Sequence, residues 1–357
     1  MKIILTGGGT AGHVTPNISL LDDLQREGFD EIHYIGSIDG IEKSMIAEYP
    51  FVHYHGISSG KLRRYISVDN LKDPFKVLKG MKEAKKLIKN INPDVVFSKG
   101  GFVSVPVVWA ANKCKIPVVS HESDITPGLA NRIAKRYVDK VCLNFPDTLI
   151  YIPEPKGIYT GTPIRDVLFT GNADNAKEML GFDSKPVILV MGGSLGARAL
   201  NIQIRSSLNE LLKTYNIVHL CGKDNIDSSL EGIQGYKQYE FISKELPDIM
   251  ALAHIIVSRA GANAIHEFLA LKKPMLLIPL PLSQSRGDQI LNAKSFESRG
   301  IAHVIDEEKL NDESFLKAIT ELENDRDNII RKMSEDNISD GTQNVMNVIL
   351  SVLKKNS

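Results

Sequence analysis

A strand, a glycine-rich turn and a helix occur twice in this chain, once at its start and once near its middle. The first copy reads KIILTGGGTAGHVTPN from Lys2 and the second KPVILVMGGSLGARALN from Lys185. Set on each other, Gly8-Gly9-Thr10 falls on Gly192-Gly193-Ser194, Gly12 on Gly196, His13 on Ala197 and Asn17 on Asn201. Two such units so far apart predict two Rossmann-like domains rather than one long one. The 357 residues suit that count, at roughly 150 residues per domain.

Short apolar runs alternate with amphipathic helical patterns throughout. Strands are expected at Lys2–Thr6, Ile32–Ile35, Val95–Ser98, Pro117–His121 and Val141–Asn144, then at Val187–Met191, Ile217–Leu220, Ile255–Ser258, Met275–Ile278 and Ala302–Ile305. They are continuously apolar rather than alternating, which implies burial on both faces and parallel sheets covered by helices. The fold class is therefore α/β, doubly wound. The proline pair in Pro153-Glu154-Pro155-Lys156 marks the neighbourhood of the domain break. The expected domains are 1–163 and 164–340, with the last helix, 341–357, packing back onto the first.

With 43 basic and 43 acidic residues the net charge is zero, which argues against a dedicated nucleic-acid binder. Cys114, Cys142 and Cys221 match no metal or redox spacing and suit a reducing cytosol. The opening MKIILTGGGT is too short an apolar run for a signal peptide, and no stretch approaches a spanning helix. A soluble protein is expected, one still able to touch a membrane surface. Residues 61–89 hold ten Lys or Arg against three acids, whereas 306–340 is strongly acidic.

The first turn matches G-x-G-x-x-G through Gly7, Gly9 and Gly12. Glycine admits close approach of a ligand, and the following helix start points N–H groups at an anion. A dinucleotide site would also need an acid at the end of the second strand, but that strand ends YIGS with Asp39 beyond. An NAD-dependent oxidoreductase, or a turn that binds nothing, are the alternatives. His13 follows Gly12, and its counterpart Ala197 shows that the fold does not demand imidazole there. The positive end of a helix disfavours the charged ring and leaves it able to accept a proton. A helix-start histidine bonding its own backbone is the plainer alternative.

Ser98–Val107, SKGGFVSVPV, is a third glycine turn, and Ser120–Asn131 crowds His121, Glu122 and Asp124 at the carboxyl end of a strand. That end is where open α/β sheets bind ligands. One histidine and two acids without helical spacing make a poor metal set. In Val257–Pro281 small residues open a helix that carries Glu267, a carboxylate suited to ribose hydroxyls or simply to a helix surface. Asp325-Arg326-Asp327 has a D-x-D form but sits in an acidic helical stretch and reads as a solvated face.

Together GGGTAGHVTPN, SKGGFVSVPV, HESDITPGLAN, GTPIR (Gly161–Arg165), MGGSLGARALN and SRAGANAIHEF resemble the MurG family, from Met1 to the last helix and in family order. These are the UDP-N-acetylglucosamine: undecaprenyl-diphospho-muramoyl-pentapeptide N-acetylglucosaminyltransferases. The resemblance implies a GT-B fold, two Rossmann-like domains facing across a cleft, with UDP-GlcNAc on the C-terminal domain and the acceptor, lipid I, on the N-terminal one. It implies that backbone near Ile242 holds uracil and Glu267 the ribose. Gly261, Ala262, Asn263, Ala264 and Ser194 would take the diphosphate. Arg165, Gln289 and the turn Thr10, Ala11 and Gly12 would complete the donor site. Gly100, Gly101 and His121 would serve the acceptor and its phosphates. Relatives often have glycine at Ala11, and some have asparagine at Asp124.

The implied reaction inverts the sugar, giving a β1→4 disaccharide, lipid II, without metal or other cofactor. His13 is the expected base and Glu122 the second candidate. A lipid acceptor implies a peripheral place on the cytoplasmic face of the membrane. Lys72, Lys76 and Lys79 would attract anionic lipid, and Phe75 and Leu78 would dip into the interface; a solvated lysine-rich helix is the alternative. A non-catalytic nucleotide-sugar sensor and a glycolipid-forming GT-B enzyme are the neighbouring readings.

Overall fold

A computed structural model describes residues 1–60, 73–193, 196–336 and 341–353. The chain divides into two compact units, Met1–Arg165 with Asp340–Ser357, and Asp166–Ser339. Unit 1 holds a seven-stranded parallel sheet of β1 (Lys2–Thr6), β2 (Glu31–Ser37), β3 (Val52–Ile57), β4 (Val95–Ser98), β5 (Val118–Glu122), β6 (Lys140–Leu143) and β7 (Gly157–Tyr159), in the order β3-β2-β1-β4-β5-β6-β7. Unit 2 holds six parallel strands, β8 (Val187–Met191), β9 (Asn216–Leu220), β10 (Tyr236–Tyr239), β11 (Ile255–Ser258), β12 (Met275–Leu277) and β13 (His303–Val304), in the order β10-β9-β8-β11-β12-β13. Each sheet reverses direction beside its first strand, between β1 and β4 and between β8 and β11. In open α/β sheets that switch point opens a crevice at the carboxyl ends of the strands.

The inner strands are apolar on both faces because helices cover both. On one face of the unit 1 sheet Ile3, Leu5 and Phe97 pack against Leu20, Leu21 and Leu24 and against Val345, Met346, Ile349 and Val352 of the final helix. On the other, Ile4, Val96 and Val118 meet Ala84, Ile88, Val107 and Val108. At about 1.5–3 kcal/mol for each large buried side chain, the final helix Thr342–Leu353 is part of this core.

The boundary falls later than the prolines suggest. Pro153–Lys156 forms a turn inside unit 1 that leads into β7. Ile164 stays with unit 1 because its N–H donates to Thr342 Oγ1 (3.2 Å), while Gly341 N–H donates to Thr162 O (3.1 Å). A β-carbon on Gly341 would stand 2.5 Å from the carbonyl carbon of Gly161, so only glycine fits where the chain returns.

The duplication has a physical counterpart in Asn17 and Asn201. Asn17 Nδ2 donates to Thr6 O (3.3 Å) and to Tyr34 Oη (3.1 Å). Asn201 Nδ2 donates to Cys221 O (2.9 Å), and its Oδ1 accepts from His219 Nε2 (3.0 Å). With Nδ1 accepting from Tyr236 Oη (2.9 Å), the buried His219 ring is satisfied in its neutral form. Burial first, then the charge of Arg205, pushes its pKa from 6.5 down to about 3. The unfolded chain therefore takes up this proton first. The stabilisation is complete above the unfolded value and drains away as pH falls towards 3. Between pH 7 and pH 5 the loss should be about 2 kcal/mol, read by urea denaturation at both pH values. His219→Gln should flatten that slope; an unchanged slope would refute the assignment.

Candidate active site

The crevice of unit 1 is built from two glycine turns in contact. β1 ends at Thr6, and the chain turns through Gly9 (φ +88°) into one tight turn of helix, Ala11–His13. A β-carbon on Gly7 would stand 2.4 Å from His13 O, so this glycine lets the chain fold back over the strand end. Just after β4 come Gly100 and Gly101, both at positive φ, and a β-carbon on Gly101 would stand 2.3 Å from Gly8 O. Sequence-predicted Gly12, His13, Gly100 and Gly101 thus come from neighbouring strands at the switch point. His13 is half-buried, with Nδ1 3.1 Å from Thr10 Oγ1. Thr10 and Ala11 are exposed.

Behind the turns the sequence-predicted His121 and Glu122 are buried, with Lys99, which carries no sequence signal, beside His121. The ammonium of Lys99, buried beside Gly100, donates to His121 Nδ1 (2.7 Å) and to Ser123 Oγ. His121 is fully buried and its Nε2 donates to Gly161 O (3.1 Å). Burial pushes the Lys99 pKa down to about 8 against the opposing pull of Glu122 and Asp124. Burial likewise holds Glu122 above the ordinary carboxylate range. The Glu122 oxygens accept from Asp124 N (3.2 Å), Gly128 N (3.0 Å) and Asn131 Nδ2 (2.8 Å), so this carboxylate organises the loop between β5 and the helix Leu129–Ala134.

The first glycine turn also holds a buried acidic side chain. Glu42, from the helix Ile41–Ile46, is fully buried, and its Oε2 accepts from Gly9 N (3.3 Å). A carboxylate already holding that amide opposes a phosphate at the same place, which weakens the dinucleotide reading.

In unit 2 the matching crevice lies at the ends of β8 and β11. Gly196 (φ +78°) presses against β9, since a β-carbon there would stand 2.2 Å from Cys221 O. Ser194 lies outside the described residues, as do Lys72 and the side chain of Phe75. After β11, Arg259 is buried, bonded to Ile278 O (2.9 Å) and paired with Glu307. Gly261 then caps the helix Ala262–Ala270, and among the described residues no heavy atom other than those of its chain neighbours lies within 4 Å of where its β-carbon would stand. Asn263, Ala264 and Glu267 are half-buried on that helix. Gln289 Oε1 accepts from Leu280 N (3.1 Å) at the start of the helix Asp288–Ser298. Ile242, 7 % exposed, follows β10, and Phe241 beside it is 71 % exposed. All four segments sit at the carboxyl edge of one sheet. Arg165 is half-buried at the end of the first stretch of unit 1. In the basic helix Asp73–Ile91, Lys76, Leu78 and Lys79 are exposed. Asp325, of the D-x-D triplet, bonds Asn328 Nδ2 (3.0 Å) and His303 Nε2 (3.3 Å).

A cavity of about 540 Å³, lined by Lys115, Asp139, Lys140 and Lys156, lies at the amino ends of β5 to β7, away from the glycine turns.

The sequence profile of the Glycosyltransferase family 28 N-terminal domain matches residues 3–143, and that of the family 28 C-terminal domain residues 187–348. A UDP-N-acetylglucosamine--N-acetylmuramyl-(pentapeptide) pyrophosphoryl-undecaprenol N-acetylglucosamine transferase of Clostridium tetani is 54 % identical, covering 98 % of this chain and 97 % of its own. One of the same name from Lachnospira eligens is 55 % identical over 98 % of each. Among solved structures, MurG of Acinetobacter baumannii superposes with a TM-score of 0.76 at 25 % identity, covering 98 % of this chain and 99 % of that one. The S. aureus MnaA-UDP structure, at 15 % identity and a TM-score of 0.70 over 99 % and 97 %, shares the fold.

Proposed function

The chain belongs to glycosyltransferase family 28, and we propose on that premise that it moves N-acetylglucosamine from UDP-GlcNAc to lipid I, forming lipid II in peptidoglycan synthesis. Its two parallel-sheet units are those of the GT-B class. The observation that carries the activity is 54 % identity to a transferase of this name over nearly its full length.

The donor belongs to unit 2. The N–H groups at the start of Ala262–Ala270 suit the diphosphate, and Glu267 accepts bonds from the ribose hydroxyls. Backbone at Ile242 receives uracil, and Gln289 and Ser194 complete the set on unit 2. The acceptor belongs to unit 1, on the turn Gly100–Gly101. With both ring nitrogens bonded inside the protein, His121 serves that turn by holding Lys99 beneath it.

Inversion by one displacement needs a base for the acceptor C4 hydroxyl. Glu122 spends its oxygens on its own loop, which favours His13. The Thr10 hydroxyl, 3.1 Å from Nδ1, fixes the orientation of the ring at the turn, and a neutral imidazole so held is the base we assign to the acceptor hydroxyl. Charge developing on departing UDP is met by fixed backbone dipoles. This chemistry asks for no cofactor.

A polyprenyl acceptor places the enzyme at a membrane surface, peripherally and on the cytoplasmic side where nucleotide sugars are made. Among the described residues no helix is long and apolar enough to cross a membrane. The exposed Lys76, Leu78 (57 %) and Lys79 support contact with anionic lipid.

One assay tests both parts. UDP release from UDP-GlcNAc is measured with a short-chain soluble acceptor and with full-length acceptor in anionic vesicles. Release with each is expected, and release with neither would overturn the activity. Lys76→Gln with Lys79→Gln should keep the soluble rate and lose roughly tenfold to thirtyfold on vesicles, at about 1 kcal/mol per lysine. An unchanged vesicle rate would overturn the membrane contact.

A further inference from the structure

Glu42 is a buried carboxylate with no part in the proposed chemistry, and the fold goes to some length to house it. Its Oε1 accepts from Ser37 N (2.8 Å) and Ser37 Oγ (2.5 Å), and its Oε2 from Gly9 N (3.3 Å). Three glycines from three segments make its room. A β-carbon would stand 2.6 Å from Glu42 Oε1 at Gly8, 2.8 Å from Cγ at Gly36 and 2.2 Å from Oε1 at Gly40. Among the described residues no cation lies within ion-pair distance of it. A buried carboxyl is costly unless it is hydrogen-bonded, and these bonds, two from Ser37 and one from Gly9 of the turn, tie the turn to the end of β2.

We propose that Glu42 is a positioning residue for the reaction. It fixes the backbone of Gly8 and Gly9, and through that the Thr10–His13 contact that aims the imidazole at the acceptor. The proposal rests on the reading of His13 as base. Gly9 at φ +88° is the pivot between the amide that Glu42 holds and the hydroxyl that meets His13 Nδ1. Glutamine at position 42 keeps the shape but turns one acceptor oxygen into an amide donor. That donor must then face either Gly9 N–H or the Ser37 donors, so one anchor is lost. A displacement of about 1 Å in a reacting group can cost 10²-fold in rate.

The test is a double-mutant cycle on the full-length enzyme with Glu42→Gln, His13→Ala and the pair together. Rates of UDP release are normalised to the concentration of folded chain, read from urea unfolding followed by circular dichroism, which removes losses due to misfolding of unit 1. Glu42→Gln should lower kcat by roughly tenfold to a hundredfold, with the KM for UDP-GlcNAc within about twofold. Added to His13→Ala it should change little further. A normal kcat for Glu42→Gln, or a factor that multiplies in full onto an impaired His13→Ala, would overturn the positioning role. Normal turnover of His13→Ala would instead overturn the base assignment. If Glu42→Gln does not fold, Glu42→Asp, with both oxygens on a shorter arm, carries the same cycle.

Discussion

His13→Ala should lower kcat by about 10²–10⁴ while UDP binds as tightly as before. The size follows from the work assigned to the ring. An alcohol is a poor nucleophile at neutral pH, and a positioned base removes its proton as the new bond forms. Thr10 Oγ1 stands 3.1 Å from His13 Nδ1, on a turn whose course Gly7 and Gly9 permit. The position does not need a histidine for folding, since the second copy of the unit has Ala197 there. Alanine should therefore fold. Steady-state rates with saturating donor, beside a UDP titration, separate the two effects. Near-normal turnover would remove His13 from the mechanism, and lost UDP binding would show that it serves the donor.

Glu267→Ala should weaken UDP binding by about 10²–10³, with a smaller change in kcat at saturating donor. A carboxylate that accepts two ribose hydroxyls makes two charge-assisted hydrogen bonds, each worth roughly 1.5–3 kcal/mol. Part of that returns when water takes the place of the side chain, which leaves the tenfold steps counted here. Glu267→Gln keeps one acceptor oxygen and should fall between. Calorimetric titration of UDP gives the answer. Unchanged affinity in the alanine variant would return Glu267 to a helix-surface role.

Much of the fold was legible because inner strands must be apolar on both faces. Every strand that the runs predicted is present, from Lys2–Thr6 to β13. The three that escaped, β3, β7 and β10, all stand at sheet edges. There the demand for apolarity lapses: β3 reads VHYHGI, with only its ends buried, and β10 reads YKQY. The proline pair misled because prolines mark any sharp turn, and this one serves β7 rather than the crossing between units.

The candidate site was legible where backbone geometry dictates residue type. Gly7, Gly9, Gly100 and Gly101 could be read because close approach or positive φ excludes other residues. Lys99 and Glu42 could not. A lone lysine after a strand and a lone glutamate in a short helix carry no pattern. What marks them is tertiary: a buried histidine bonded to one, and three glycines making way for the other. The glycines were visible, but nothing in the sequence tied Gly8, Gly36 and Gly40 to one partner.

Two similar halves should divide the labour, the donor on unit 2 and the acceptor on unit 1. A crystal grown with UDP tests it most directly. The nucleotide should lie in unit 2, its diphosphate at the start of Ala262–Ala270 and its ribose on Glu267. UDP bound only at the Gly7–Gly12 turn of unit 1 would contradict the account.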